Sequence, residues 1–477
     1  MSLDDGDQTH GTPCERACER VPTLEHEMTP RAERIVDGVG ESLEEGVLPA
    51  KVFNDEEIFE AELRRIFGQC WVFIGHESEV SEPGDYARRY IGKDPFIFVR
   101  DEGGEIRVLF DSCTHHGAKV CKAEQGNTSH FRCPYHGWTF KNTGDLAGIP
   151  LRDQAFQGLD TEEWGLHEAS RVENYKGLVF ASIADEGPSL EEYLGDFKWY
   201  LDVHLDIAEG GLEVIGEPHR WRADSDWKSG ADNFSADSYH TGFAHRSVIE
   251  VGFAANEISG TPGQETQRHV THADSGSTSL RLLEPEDEVF FGYPEEYVTD
   301  ENLSDEQYDL AAACGAATGT IFPNLSFIHL AATNDPDEEL DGFFSLRKWQ
   351  PVAPGEMEFW SWVLVPAEAS EEYKQRAYDV AVGTFSPSGN FEQDDLAVWD
   401  GIAEAAGSVY AEKNGVGYNY QMGMPGMSKA SIDEDWHGPG TAWDDNLEEG
   451  TCRTFHGNWY KAMTDQEIGM SYPEDHI

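Results

Sequence analysis

The chain has 477 residues, room for two domains, and sets 91 acidic against 34 basic side chains for a net charge of −57. That field excludes nucleic acid and anionic membrane surfaces as partners, and with neither a long apolar run nor a basic, apolar leader at Met1 to Asp7 a soluble cytoplasmic protein is expected. Self-repulsion on this scale is relieved where multimolar salt shortens the Debye length to about 3 Å or less, so the expected setting is a salt-rich cytoplasm such as that of halophilic archaea.

Residues 1–45 are polar and rich in Glu, which predicts an extended or partly ordered acidic arm; Cys14 and Cys18 read as part of it. In the stretch 46–70, apolar Ile58, Phe59, Leu63, Ile66 and Phe67 recur at helical spacing behind a cap at Asn54 or Asp55. From 71 to 181 the pattern changes to short β runs, such as Pro95 to Val99 and Ile106 to Phe110, broken by Asp, Gly and Asn turns. From 182 to 477 helices alternate with strands: Leu190 to Leu205 reads as a helix, and Ser345 to Val352 and Met357 to Val365 as strands of an antiparallel sheet. The acid-dense stretch from Glu284 to Glu306 carries Pro285 and Pro294 as breakers and reads as a solvated loop or short helix. The whole is α+β, a small all-β domain followed by a larger mixed one. The eight cysteines are too scattered for a disulfide framework.

The small domain carries Cys113-Thr114-His115 and Cys133-Pro134-Tyr135-His136. Two thiolates and two imidazoles brought together from two loops suit a [2Fe-2S] centre, in which neutral imidazoles on one iron raise the potential; zinc is the other ion such a set can hold. Gly117 and Gly137 allow tight loops, Pro134 stiffens the second, and Trp138 and Phe140 are placed to shield the metal from water.

About a hundred residues on, Asp232 to His245 contains His240 and His245, five apart. Two imidazoles and one carboxylate on one face of a metal make the facial triad of non-heme Fe(II) oxygenases. A regular helix would not converge these two rings, so a π-bulge or helix end is expected between them. The third ligand is expected from Phe391 to Trp399, where Asp395 and Asp394 are both available. Phe234 and Phe391 are candidate pocket walls. His269 and His272 read as an exposed loop and Lys228 and Arg246 as exposed basic residues, and no cluster of Arg or Lys lies close enough in sequence to the iron motif to argue for a carboxylated ring.

The run Cys113 to Gly117 with Cys133 to Trp138 resembles the Rieske motif, apart from His116, where that family usually has Arg. Together with Trp71 to Tyr86, Val99 to Pro150, Tyr175 to Phe180, Trp227-Lys228 and Tyr418 to Gly423, the chain resembles the large (alpha) subunit of the aromatic-ring-hydroxylating dioxygenases. The resemblance implies a Rieske [2Fe-2S] domain at 71–181 and a helix-grip catalytic domain at 182–477, with 46–70 packed on the latter. It implies that Cys113, His115, Cys133 and His136 hold the cluster and that His240, His245 and Asp395 hold a mononuclear Fe(2+). It gives Asp237 the link from His136 of one protomer to His240 of another, and places Asn233 close to the iron. The implied reaction adds both atoms of O2 to an aromatic ring as a cis-dihydrodiol, with electrons from NAD(P)H through a reductase or ferredoxin, in a homotrimer or an α3β3 assembly with a beta subunit. Monooxygenation or oxidative demethylation with the same metals is the alternative. A simple Rieske electron carrier would need no His240, His245 or Asp395.

Overall fold

A computed structural model of the chain describes residues 28–253, 267–272, 275–283 and 288–467. The arm before Met28, with Cys14 and Cys18, and the start of the acid-dense stretch lie outside the described residues, as does the His272 side chain. The chain divides into two compact units.

The smaller unit takes Glu79–Arg89 and Asp94–Ala169. A four-stranded sheet runs Ile106–Phe110, Asp94–Arg100, Asp85–Ile91 and Gln125–Asn127, and a three-stranded one runs His130–Arg132, Thr139–Lys141 and Leu146–Gly148. The two cysteine loops follow Phe110 and Arg132, so each is carried on a strand end. Ile97, Val99, Leu109, Phe131 and Phe140 form a core that also encloses both cysteines.

The larger unit takes Thr29–Ser78, Tyr90–Lys93 and the chain from Ser170 onward. Its centre is a nine-stranded antiparallel sheet, in spatial order Leu212–Val214, Glu356–Pro366, Asp341–Ala353, Leu325–Ala332, Cys314–Ile321, Gly276–Leu282, Gln267–His272 and Thr441–Trp443, with His219–Ala223 also pairing Glu356–Pro366. The long central hairpin turns at Gly355, whose φ of +65° suits glycine. The helix Trp227–Phe234 lies directly on this sheet: a Cβ on Gly230 would meet the Trp349 ring at 2.5 Å. Strands Val72–His76, Leu178–Ser182 and Arg171–Tyr175 form a separate three-stranded sheet within the same unit. No helix among the described residues is long and apolar enough to cross a membrane.

Three expectations are corrected. Residues 30–42 are not arm but a helix, Pro30–Ser42, capped by the Thr29 hydroxyl and burying Ala32, Val36 and Val39 at helical spacing. The helix expected from Leu190 to Leu205 breaks at Gly195 into Leu190–Leu194, a 3-10 turn and Lys198–Leu205. Lys228 is not exposed but fully buried, with Nζ 2.6 Å from Glu62 and 2.7 Å from Asp226. Trp227 and Trp459 donate their indole N–H groups to the same Glu62 carboxylate at 2.9 and 2.7 Å, which ties the helices Glu56–Arg65, Trp227–Phe234 and Gly450–Thr464 together. Removing the cation strands two carboxylates in the interior. Lys228→Met is therefore expected to cost about 3–5 kcal/mol in denaturant unfolding at fixed salt; a loss below about 1 kcal/mol would show that Glu62 is neutral and the tie is only packing.

Candidate active site and metal centres

The two cysteine loops share one backbone plan. Cys113 N–H donates to Ala118 at 2.9 Å and Gly117 N–H returns to the Cys113 carbonyl at 2.8 Å; Cys133 N–H donates to Trp138 at 2.8 Å and Gly137 N–H returns to Cys133 at 3.1 Å. Gly117 and Gly137 close these turns at φ +74° and +75°. The result brings the two buried thiols together, and burial, followed by the neighbouring Cys133, raises the Cys113 thiol above its ordinary range. His115 stacks flat on Trp138 at 4.7 Å, and its ring lies 4.6 Å from that of His136. His116 is exposed, with its ring 4.1 Å from His115 and 5.2 Å from His136, so ring nitrogens of all three histidines fall within 4.8 Å of one another. The set fits a metal cluster on one direct observation: Nδ1 of His115 is buried and has no hydrogen-bond partner among the described residues.

His240 and His245 flank the one-turn helix Thr241–Ala244, His240 before it and His245 after it, which is the helix end the spacing required. The helix Trp227–Phe234 stops at Ser235, and Ala236 turns left-handed at φ +73°. Asp237 thus meets His240 across a turn beyond the helix end and not along one helix face. The His240 Nδ1–H group donates to the Asp237 backbone carbonyl, and the Asp237 carboxylate lies 3.4 Å from the same nitrogen. Both Nε2 atoms are left facing Asp395, 3.7 Å from His240 and 3.2 Å from His245. Asp394 comes only to the opposite nitrogen of His245, at 3.6 Å, and is 37% exposed against 7% for Asp395. Three ligand atoms, one each from His240, His245 and Asp395, lie within 4.8 Å of one another and fit one metal ion. Asn233 Nδ2 stands 3.4 Å from His240.

Burial opposes charge on His240, yet Asp237 and then Asp395 raise its pKa to about 9. Burial alone would raise Asp237, but His240 beside it holds that carboxyl below its usual range.

A cavity of about 110 Å³ opens beside the triad. Phe234 and Phe391 both line it, with Phe385, Ile249, Ile328 and Leu330, so its walls are mostly apolar. Phe391 packs edge-on to His245 at 5.0 Å.

Several residues of the site escaped the sequence reading. Arg347 is buried among the rings of Trp221, Phe234, Trp349 and Phe385 and donates to Glu392, in the first turn of the helix Glu392–Gly407 that carries Asp395. The bond ties the first turn of that helix to the strand Asp341–Ala353. His269 is not in an exposed loop but fully buried on the strand Gln267–His272, bonded to Glu448 at 2.7 Å and to Ser238 at 3.2 Å. Arg281, which the sequence reading did not single out, lines the cavity. Arg246 lies on the surface, 72% exposed.

Residues 70–175 match the Rieske [2Fe-2S] domain, and residues 191–465 match the catalytic domain of the ring-hydroxylating alpha subunits. The chain is a Rieske ring-hydroxylating oxygenase alpha subunit. Its metal groups are therefore a Rieske [2Fe-2S] cluster and a mononuclear iron, and zinc in the cysteine loops is set aside. The alpha subunit is 36% identical to the N,N-dimethyl phenylurea N-demethylase subunit alpha of Sphingobium sp., over 90% of this chain and 94% of that one. It is 34% identical to the biphenyl 2,3-dioxygenase subunit alpha of Rhodococcus jostii, over 88% and 89%. Among solved structures it superposes on naphthalene 1,2-dioxygenase from Rhodococcus sp. bound to indole with a TM-score of 0.87 and 38% identity, covering 92% of this chain and all of that one.

Proposed function

We propose that this alpha subunit inserts both atoms of O2 into adjacent carbons of an aromatic ring, giving a cis-dihydrodiol; O2, two electrons and two protons are consumed, the electrons coming from NAD(P)H through a reductase or ferredoxin. The observation that carries this reading is the cavity, whose apolar walls end on His240, His245 and Asp395. Cys113, His115, Cys133 and His136 would hold the cluster, and His240, His245 and Asp395 the iron. When bound, these groups supply electron storage and oxygen activation.

The chain's own residues do the rest. Phe385, Phe391, Ile328 and Leu330 hold the ring and keep water from the reacting carbons. Asp237 presents its carboxylate to His240, the connection through which electrons from a neighbouring protomer's cluster domain would arrive in a trimer or α3β3 assembly. Asn233, above His240, limits what approaches the iron from that side.

A single turnover of the reduced protein in high salt under labelled oxygen, with products read by mass spectrometry, tests the reading. Two labelled atoms in one ring product are expected. The 36% identity to an N-demethylase subunit favours a second reading, in which one oxygen hydroxylates an N-methyl group, formaldehyde leaves and the other oxygen becomes water. One labelled atom, found in formaldehyde or its hydroxymethyl precursor, would replace the first reading by the second.

A further inference from the structure

The strand pairing beside the cavity sets Gln267 opposite Arg281 and His269 opposite Ser279. Side chains alternate along a strand, so Gln267, His269 and Ser279 project from one sheet face. Arg281 donates to Gln267 Oε1 at 2.8 Å, which turns Gln267 Nε2 toward the Ser279 hydroxyl, 2.9 Å away. That hydroxyl meets the Ser238 hydroxyl at 2.9 Å, Ser238 meets His269 Nε2 at 3.2 Å, and His269 Nδ1 meets Glu448 at 2.7 Å. The Glu448 carboxyl group also accepts from the Gly450 N–H and, at 3.2 Å, from the Thr451 hydroxyl.

Gln267, Ser238 and Ser279 line the cavity beside His240, whereas His269, Glu448 and Thr451 are fully buried behind them. One end of the run thus lies at the cavity, and the other is closed by the donors around Glu448. Two arrangements of its protons satisfy every bond. In the first, His269 is an imidazolium: Nδ1–H donates to Glu448, Nε2–H to Ser238, Ser238 to Ser279, and the Ser279 hydroxyl donates into the cavity. In the second, His269 is neutral and bare at Nε2; Ser238 donates to it, Ser279 donates to Ser238, and no hydroxyl proton is left for the cavity. Gln267 donates to Ser279 in both. The two differ by one proton, which reaches the cavity by shifts along bonds already in place. Glu448 favours the first, since a buried imidazolium beside a buried carboxylate leaves neither charge alone. Asp237, next to Ser238 in the chain, is a second carboxylate within electrostatic reach of the ring.

From this juxtaposition we infer that His269 stores one proton and that Ser238 and Ser279 pass it into the cavity, to an oxygen atom of the product as it forms. The inference rests on the oxygenase reading of the cavity and adds the route of one of the two protons that reading consumes. The N–H bond at His269 Nε2 breaks and an O–H bond on the product forms; no electron moves, and Glu448 stays ionised. The store recharges from water through the same hydroxyls once the product has left. Ser279 donates to the reacting oxygen, and His269 acts through it.

Neutron diffraction from the metal-loaded protein exchanged into D2O tests the store directly. Deuterium is expected on both ring nitrogens of His269; deuterium on only one of them overturns the inference, and this measurement needs neither variant nor turnover. Delivery is tested by a single turnover of naphthalene under labelled oxygen in high salt. His269→Gln keeps a donor toward Glu448 and an acceptor toward Ser238 but holds no extra proton, and Ser279→Ala cuts the run at the cavity while leaving the His269–Glu448 pair intact. Each is expected to slow product formation at least about tenfold with naphthalene affinity unchanged, and Ser279→Thr to recover most of the rate. The natural rate in either folded, iron-loaded variant overturns the relay. The label separates this from the function itself: two labelled atoms incorporated at the natural rate by His269→Gln remove the relay and keep the dioxygenase, while one labelled atom, incorporated more slowly by both variants, keeps the relay and removes the dioxygenase.

Discussion

Moved from about 1 M salt, where the Debye length is about 3 Å, to about 0.01 M, where it is about 30 Å, the protein is expected to lose its folded circular dichroism and its activity together. If every one of the 34 basic residues were paired, 57 carboxylates would still be left over. The structure shows how the few cations are shared. Arg31 is within ion-pair range of Asp55, Glu57 and Glu412; Lys176 contacts Asp202 and Asp206; Arg376 serves Asp341 and Glu372. Each such cluster holds like charges close together, and the repulsion between them grows as screening is removed. Sucrose provides the control, because it strengthens apolar burial without screening charge. Rescue by salt and not by sucrose assigns the loss to charge, and full retention of structure at low salt would remove the case for a salt-rich cell.

What could be read from the sequence depended on how far apart the cooperating residues lie. The cluster loops were legible because cysteines, histidines and turn glycines stand within one short stretch, where Gly117 and Gly137 allow two tight turns. The third candidate ligand was legible only as a pair, since adjacent helix positions differ by about 100° and either Asp can face inward until the helix start is known. Arg347 bonds to Glu392 in the first turn of that helix, and nothing near Asp395 in sequence announces Arg347. The same holds for Lys228, His269 and Arg281. Lys228 and His269 are buried by partners far along the chain, Glu62 and Glu448, and Arg281 bonds to Gln267 on the neighbouring strand; a polar residue read without its partner looks exposed. The helix Pro30–Ser42 was different: its cap, its Pro at the first position and its apolar spacing are all present locally, and the surrounding acidity outweighed them.

Asp237→Ala is expected to lower steady-state turnover about 10- to 100-fold while iron still binds. The reason lies in which atom of Asp237 holds the ligand. His240 Nδ1–H donates to the Asp237 backbone carbonyl, which alanine retains, so the ring stays oriented with Nε2 toward Asp395. What disappears is the carboxylate 3.4 Å from the ring and, with it, the first of the charges that raise His240 to about 9. A ligand must shed its proton to take a metal, so in the natural protein iron uptake strengthens as pH rises toward about 9, and in the variant the same curve moves to lower pH. At neutral pH proton competition therefore weakens, and slower turnover cannot be charged to a harder-won metal. Asp237→Asn, which keeps the shape and removes the charge, should move the uptake curve in the same direction. Iron content, its pH profile and NAD(P)H-driven turnover measured on one preparation distinguish the roles. Full turnover in an iron-loaded variant takes Asp237 out of the electron path, whereas loss of iron would make it a support for His240 alone.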